Sequence, residues 1–318
     1  MPLAEAPVTI GAGRCVFASG VLSCSVSFAT TCRGEAGGLA GGSESEWATQ
    51  TVGNGPHVLP ARWFGAGCPV SLSLALGESG WDVVLASGSL GWPGEQTHAA
   101  TFFEGLQVEV ADYTPAFERF GLGEDQLVGP VPFHGSFEDR EGAPDPVFAA
   151  LSREQGEAQV SAWEGVFERA GLGNVDLIHL HHLTPMHDAA ARLWPERALV
   201  THLHGTELKM LHRVKCLDGV AVALDTGLDR LAAAVEFGEL APDRQLPERE
   251  RELPRRTKLS RYRYGKEWAA RLEASARHSR RIICISPHGA SEAVRLLGIP
   301  EGLIEVIPNG VDTDRFDR

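Results

Sequence analysis

Positive charge is what this 318-residue sequence lacks most plainly: 29 Lys and Arg stand against 42 Asp and Glu, a formal net charge of −13. Binding to phosphate backbones needs clustered Lys and Arg, so the balance argues against nucleic acid as a partner. Cysteine is also sparse. Six residues (Cys15, Cys24, Cys32, Cys68, Cys216 and Cys284) are spread too thinly for a disulfide scaffold, and no CxxC spacing offers a structural zinc site. Reduced thiols in a cytoplasmic protein are the expectation. Long apolar runs are missing too, since no stretch reaches the roughly 18–20 residues that span a bilayer. The opening residues have neither the basic n-region nor the unbroken apolar stretch of an export signal. At most a peripheral membrane contact is expected.

What is present is enough apolar material for a sizeable core, 43% of the chain. Residues 1–52 contribute little of it. They are rich in Gly, Ser, Ala and Thr, with "GEAGGLAGGSESE" (34–46) reading as a linker, and only "RCVFASGVL" (14–22) resembling a strand. From 53 the rhythm changes. "GAGCPVSLSLALGESGWDVVLASGSL" (65–90) reads as a glycine turn, a helix and a strand, and "QVEVADY" (107–113) as another strand. A helix over 147–170 leads to "VDLIHLHHL" (175–183), a near-continuous apolar run of the kind found in buried parallel strands. A short helix in "DAAARLWP", the strand "ALVTHLHG" (198–205), a helix at 266–279, the strand "RIICIS" (281–286), a helix at 287–298 and the strand "IEVIP" (304–308) continue the alternation. Repeated strand–helix–strand order predicts a Rossmann-like α/β domain over 53–308, a parallel sheet with helices on both faces. Residues 218–265 break that order and read as a charged insertion. The basic end of "DRQLPERERELPRRTKLSRYRYGK" (243–266) is either a solvated surface or a patch for anionic head groups.

Seven of the twelve histidines fall between 179 and 212. Alternate strand residues share a face, which pairs His179 with His181 and His202 with His204 and turns His182 the other way. Three uses compete for them: metal ligation, with Asp188 or Glu207 adding oxygen; a loop at a strand's end; and plain packing with hydrogen bonds to nearby carbonyls. His204 has the strongest positional case. In an open parallel sheet ligands bind beyond the carboxyl ends of the strands, and His204-Gly205-Thr206-Glu207 stands at such an end. Gly205 permits close backbone approach, while Thr206 and Glu207 start a helix whose N-terminus attracts phosphate.

Taken in order, "DLIHLHHLTPM", "ALVTHLHGTEL", "RIICISPHGASEAVRLLGI" and "IEVIPNGVDTDRF" resemble the N-terminal domain of family 4 glycosyltransferases of the GT-B fold, over about 65–316. The resemblance implies two Rossmann-like domains facing across a cleft, and transfer of a sugar from a nucleotide donor with retention of configuration. No metal and no cofactor beyond the nucleotide-sugar co-substrate is implied. It makes His204 the catalytic-site histidine beside the sugar and the reacting hydroxyl. Gly65 and Gly67, with Ser286 at the start of a cleft helix, become the candidate contacts to the donor diphosphate. His181, His182, Gly205, Thr206, Glu207 and Asn309 become candidate substrate contacts. The acceptor is expected to be a carbohydrate, a lipid-linked molecule or a small molecule. Residues 309–318 match the linker to the donor domain, which is expected to be absent from this chain and to come, if at all, from a separate partner. A hexosyltransferase is the reading this supports. A non-catalytic binding subunit and a metal-dependent hydrolase built on the histidines are the alternatives.

Overall fold

The computed structural model describes residues 14–19, 67–140, 142–239 and 257–310. Its centre is a seven-stranded sheet with every pairing parallel, in the order β3-β2-β1-β4-β5-β6-β7. The strands are β1 (Arg14–Ser19), β2 (Asp82–Ser89), β3 (Gln107–Asp112), β4 (Leu177–His181), β5 (Ala198–Leu203), β6 (Arg281–Cys284) and β7 (Ile304–Val306). Between them lie α1 (Gly67–Glu78), α2 (Ala99–Phe102), α3 (Thr114–Gly121), α4 (Arg153–Arg169), α5 (Pro185–Leu193), α6 (Thr206–Ala223), α7 (Leu228–Glu236), α8 (Gly265–His278) and α9 (Pro287–Leu297). This is the doubly wound Rossmann-like order, and its direction reverses between β1 and β4.

The period-two alternation of the strands sorts their side chains onto two faces. Ile178, Leu180 and Leu199 pack with Val160, Trp163 and Phe167 of α4 and Met186 of α5. Towards β6 the same face continues through Leu203, Ile282 and Cys284 against α6, α7, α8 and α9. On the opposite face Cys15 and Leu85 meet Ala99 and Phe103, with Leu72 and Leu76 of α1 packed around them. Strands covered on both faces are mostly apolar, which is why β2, β4 and β5 read as near-continuous apolar runs.

Two places differ from the sequence expectation. Arg14–Ser19 belongs to the domain rather than to an irregular leader: it is a central strand, pairing β2 on one side and β4 on the other, so the boundary at 53 moves back to at least 14. One short apolar hexapeptide among small residues carries too little periodicity to announce a central strand. The expected insertion at 218–265 is also built into the core where it is described. Val220, Ala221, Leu228, Leu231, Ala232, Leu259 and Tyr262 are all buried in one cluster. Smaller shifts have local causes. The helix expected from 147 begins at Arg153, because Ser152 caps it in a capping box with Gln155 after a 3-10 turn at Phe148–Ala150. Pro287 and the Ser286 cap start α9, and left-handed Gly298 ends it. The linker at 34–46, Gly65, the residues 240–256 and most of the 309–318 stub lie outside the described residues. Among the described residues no helix is long and apolar enough to cross a membrane.

Candidate functional site

The C-terminal ends of β4 and β5 carry the histidines, and their parallel register sets His181 directly beside His202. Because Ile178 and Leu180 face α4 and α5, the rings of His179, His181 and His202 project to the other side of the sheet. They form a column with His204. Ring centroids lie 5.0 Å apart for His179 and His181, 5.0 Å for His181 and His202, and 4.6 Å for His202 and His204. The planes of these three pairs differ by 10°, 28° and 16°, so the rings stack. His181 Nδ1 and His204 Nε2 share a hydrogen bond of 2.8 Å. The sequence expectation that 179 pairs with 181, and 202 with 204, on one face is met. His182 lies beyond the strand end with φ of 62°, and its ring tilts over His204 at 4.6 Å.

Burial and crowding keep most of these imidazoles neutral. Burial, then the neighbouring His202, lowers His179 to about 3. Burial, then His182, brings His204 to about 3, against the opposing pull of Glu207. His181 is held well below its ordinary value by burial and four histidine neighbours, and His202 is lowered by burial and His182. A neutral imidazole offers one donor and one acceptor, the form needed to position a hydroxyl.

Glu207 anchors the loop beneath His204. Gly205 takes φ of 93° at the N-cap of α6, a conformation that L side chains rarely adopt, and the turn brings the Glu207 carboxylate back on the chain. Its Oε1 accepts the His204 backbone N–H at 2.9 Å, and its Oε2 lies 3.1 Å from His182 Nδ1. Burial alone would raise this carboxyl, but the charge and hydrogen bond of His182, with His204, outweigh it and hold it at about 2. The helix N-terminus also favours an anion here.

A pocket of about 220 Å³ opens beyond β5 and β6, between the N-termini of α6 and α9. His204, Gly205, Lys209, His212, Ser286 and His288 are among its lining residues, with Leu203 and Leu208 as apolar wall. Cys284 also lines it, and burial followed by the Glu207 charge pushes its thiol to about 11, so it stays protonated near neutral pH.

Three candidates from the sequence, His204, Gly205 and Ser286, therefore meet at one pocket. The others do not join them there. Glu207 is wholly buried and His181 is 2% exposed, so both support His204 from behind rather than offering a surface to a ligand. Thr206 and His182 stand at the rim of the same loop, 3.5 Å apart through Oγ1 and Nδ1. Ser286 spends its hydroxyl capping α9, accepting the Gly289 N–H at 3.1 Å. Asn309 lies past β7 and does not line the pocket, Gly67 is the first residue of α1, and Gly65 falls outside the described residues. Lys209, His212 and His288 are the residues that sequence reasoning missed. The spacing 205, 208, 209, 212 is one helical face and could have found the first two.

A family model described as Glycosyltransferase Family 4 matches residues 69–315, well over half of the chain. No curated protein matches the sequence significantly.

Proposed function

The chain belongs to glycosyltransferase family 4, and from that premise we propose that its domain holds the acceptor for sugar transfer from a nucleotide-sugar donor with retention of configuration. The observation that carries the reading is the position of His204. It is a neutral imidazole at the carboxyl end of a central strand, lining a pocket between two helix N-termini. In the proposed mechanism His204 hydrogen-bonds a hydroxyl of the transferred sugar or of the acceptor. His181 behind it fixes the ring, and Glu207 fixes the backbone. The His288 amide at the start of α9 would face a phosphate oxygen of the donor, with Gly65 and Gly67 as the other candidate contacts. Ser286 would act by holding that helix start in place, since its hydroxyl is already used as the cap. Lys209, one turn into α6, adds a positive charge on the same side.

The full chain provides the test through binding rather than turnover. Saturation-transfer NMR against a panel of free sugars, sugar phosphates and nucleotide sugars should find a ligand class, and titration with that class should shift the ring signals of His204. Binding that survives His204→Ala unchanged, or that leaves those signals still, sinks the assignment.

A further inference from the structure

His179, His181 and His202 each bring a ring nitrogen into one group whose ligand atoms all lie within 4.8 Å of one another. All three side chains are buried, with residual exposures of 5%, 2% and 5%. His181 uses Nδ1 for His204, and its Nε2 has no hydrogen-bond partner among the described residues. Neither ring nitrogen of His202 has one there either. Buried polar atoms are nearly always satisfied, and leaving each unsatisfied costs about 1–3 kcal/mol. Packing alone therefore leaves His181 and His202 unexplained: side chains kept only for shape would lose nothing as Phe or Leu.

We propose that His179, His181 and His202 form a binding site for one divalent transition-metal ion, with zinc the best-fitting choice, bridging β4 and β5. Three imidazoles from adjacent strands match the borderline-soft donor set that zinc takes, at about 2.0–2.1 Å per nitrogen, and a water completes four-coordination. Magnesium and calcium prefer an all-oxygen shell, and no carboxylate belongs to this group. Loading draws the three nitrogens together, so the stacked rings tilt out of their parallel arrangement.

The site lies behind the pocket rather than in it, so the ion acts on positioning, not as a Lewis acid on substrate. Metal on Nε2 of His181 requires the proton to sit on Nδ1. That nitrogen then donates to Nε2 of His204, and His204 keeps its own proton on Nδ1. One bound ion would thus select the tautomer of the pocket histidine.

The test uses the full chain with its purification tag removed and the metal stripped by chelator dialysis. Zinc is titrated in competition with a chromogenic chelator, and cobalt is added separately to read its visible bands. The expected result is one equivalent of zinc and the intense bands of tetrahedral cobalt. His202→Phe, which keeps the ring stack and removes both nitrogens, should weaken zinc binding about a hundredfold. A double variant of the exposed pair, His212→Ala with His288→Ala, should leave it intact. The proposal is overturned if no stoichiometric zinc binds, or if the exposed pair and not His202 abolishes binding. Should His202→Phe fail to fold, X-ray absorption on the zinc-loaded wild type decides: three imidazole nitrogens support the site, and an oxygen-dominated shell overturns it. None of these readouts involves sugar transfer, so failure here and failure of the transfer reading remain separable.

Discussion

Two recesses on this domain differ in kind. The larger, about 420 Å³, lies between α4, α5 and α8, and its charges answer one another. Arg271 pairs with both Glu157 and Asp188, Arg192 with Glu157, and Arg153 with Glu267. Arg271 also lies over Trp268 at 5.1 Å. Burial would raise Glu157, but hydrogen bonds and charge from Arg192 and Arg271 outweigh it and hold it below the ordinary carboxylate value. The smaller recess, about 220 Å³, has neutral imidazole and helix-start amides at its wall, with Lys209 beside them. Volume favours the first and chemistry the second. A cleft whose charges are already paired ties helices together, whereas groups still able to accept or donate can serve a ligand.

The sharpest separation of the two comes from activity. In protein competent for sugar transfer, His204→Ala should lower turnover about ten- to a thousandfold, the cost of a hydrogen bond made in the transition state. Arg271→Ala in the same chain should leave turnover within a few-fold, and equal losses in both would erase the distinction. For stability, Glu207→Ala should cost about 3 kcal/mol in urea unfolding, since it strands the buried His204 N–H and the His182 ring. Arg271→Ala should cost about 2 kcal/mol, because its side chain is only 18% exposed and leaves Asp188 without its nearest cation.

Acidity should act first through a buried imidazole on α5, between the charged recess and the sheet. His187, one residue before Asp188 on α5, is buried and held at about 3, chiefly by burial, against an ordinary value of 6.5. Its Nδ1 accepts the Thr184 N–H at 3.3 Å, and its Nε2 lies 2.9 Å from Thr201 Oγ1. Above pH 6.5 neither the folded nor the unfolded form is protonated, and no stability is lost. Below it the unfolded chain takes up a proton that the folded one refuses, so stability falls until pH approaches 3. The expected loss between pH 7.5 and 5.5 is about 1.4 kcal/mol from this group. His187→Asn, which cannot titrate, should flatten the slope of unfolding free energy against pH by one proton, and an unchanged slope would count against the assignment. The smallest effect belongs to Arg192→Ala: with 46% of the side chain exposed, its ion pairs should contribute under about 1 kcal/mol.

The architecture was legible where periodicity is strong. The inner strands β2, β4 and β5 were readable as apolar runs between turn residues, because burial on both faces leaves little room for polar alternation, whereas β3 and β7 at the sheet edges are more exposed and carry Glu109 and Glu305. Arg14–Ser19 was legible as a strand but not as the middle of the sheet, since six residues state nothing about their neighbours. The site divides in the same way. The places of His204 and Gly205 after a strand, and of Ser286 at the Ser-Pro start of a helix, were readable from the sequence, and the three line one pocket. The burial of Glu207 and His181 was not, because a residue's depth depends on what packs over it.

Composition and pattern alone therefore determined the class of fold, the parallel alternation and the strand end that carries His204, all of which follow from local periodicity and chain direction. Tertiary structure decided that the segment at residue 14 is a central strand and that two pairs of histidines from adjacent strands make one stack. It also decided that the Glu207 carboxylate turns back onto the His204 N–H and the His182 ring. The physical reason is register: hydrogen bonding between strands distant in sequence places His181 beside His202, and no local signal encodes that alignment.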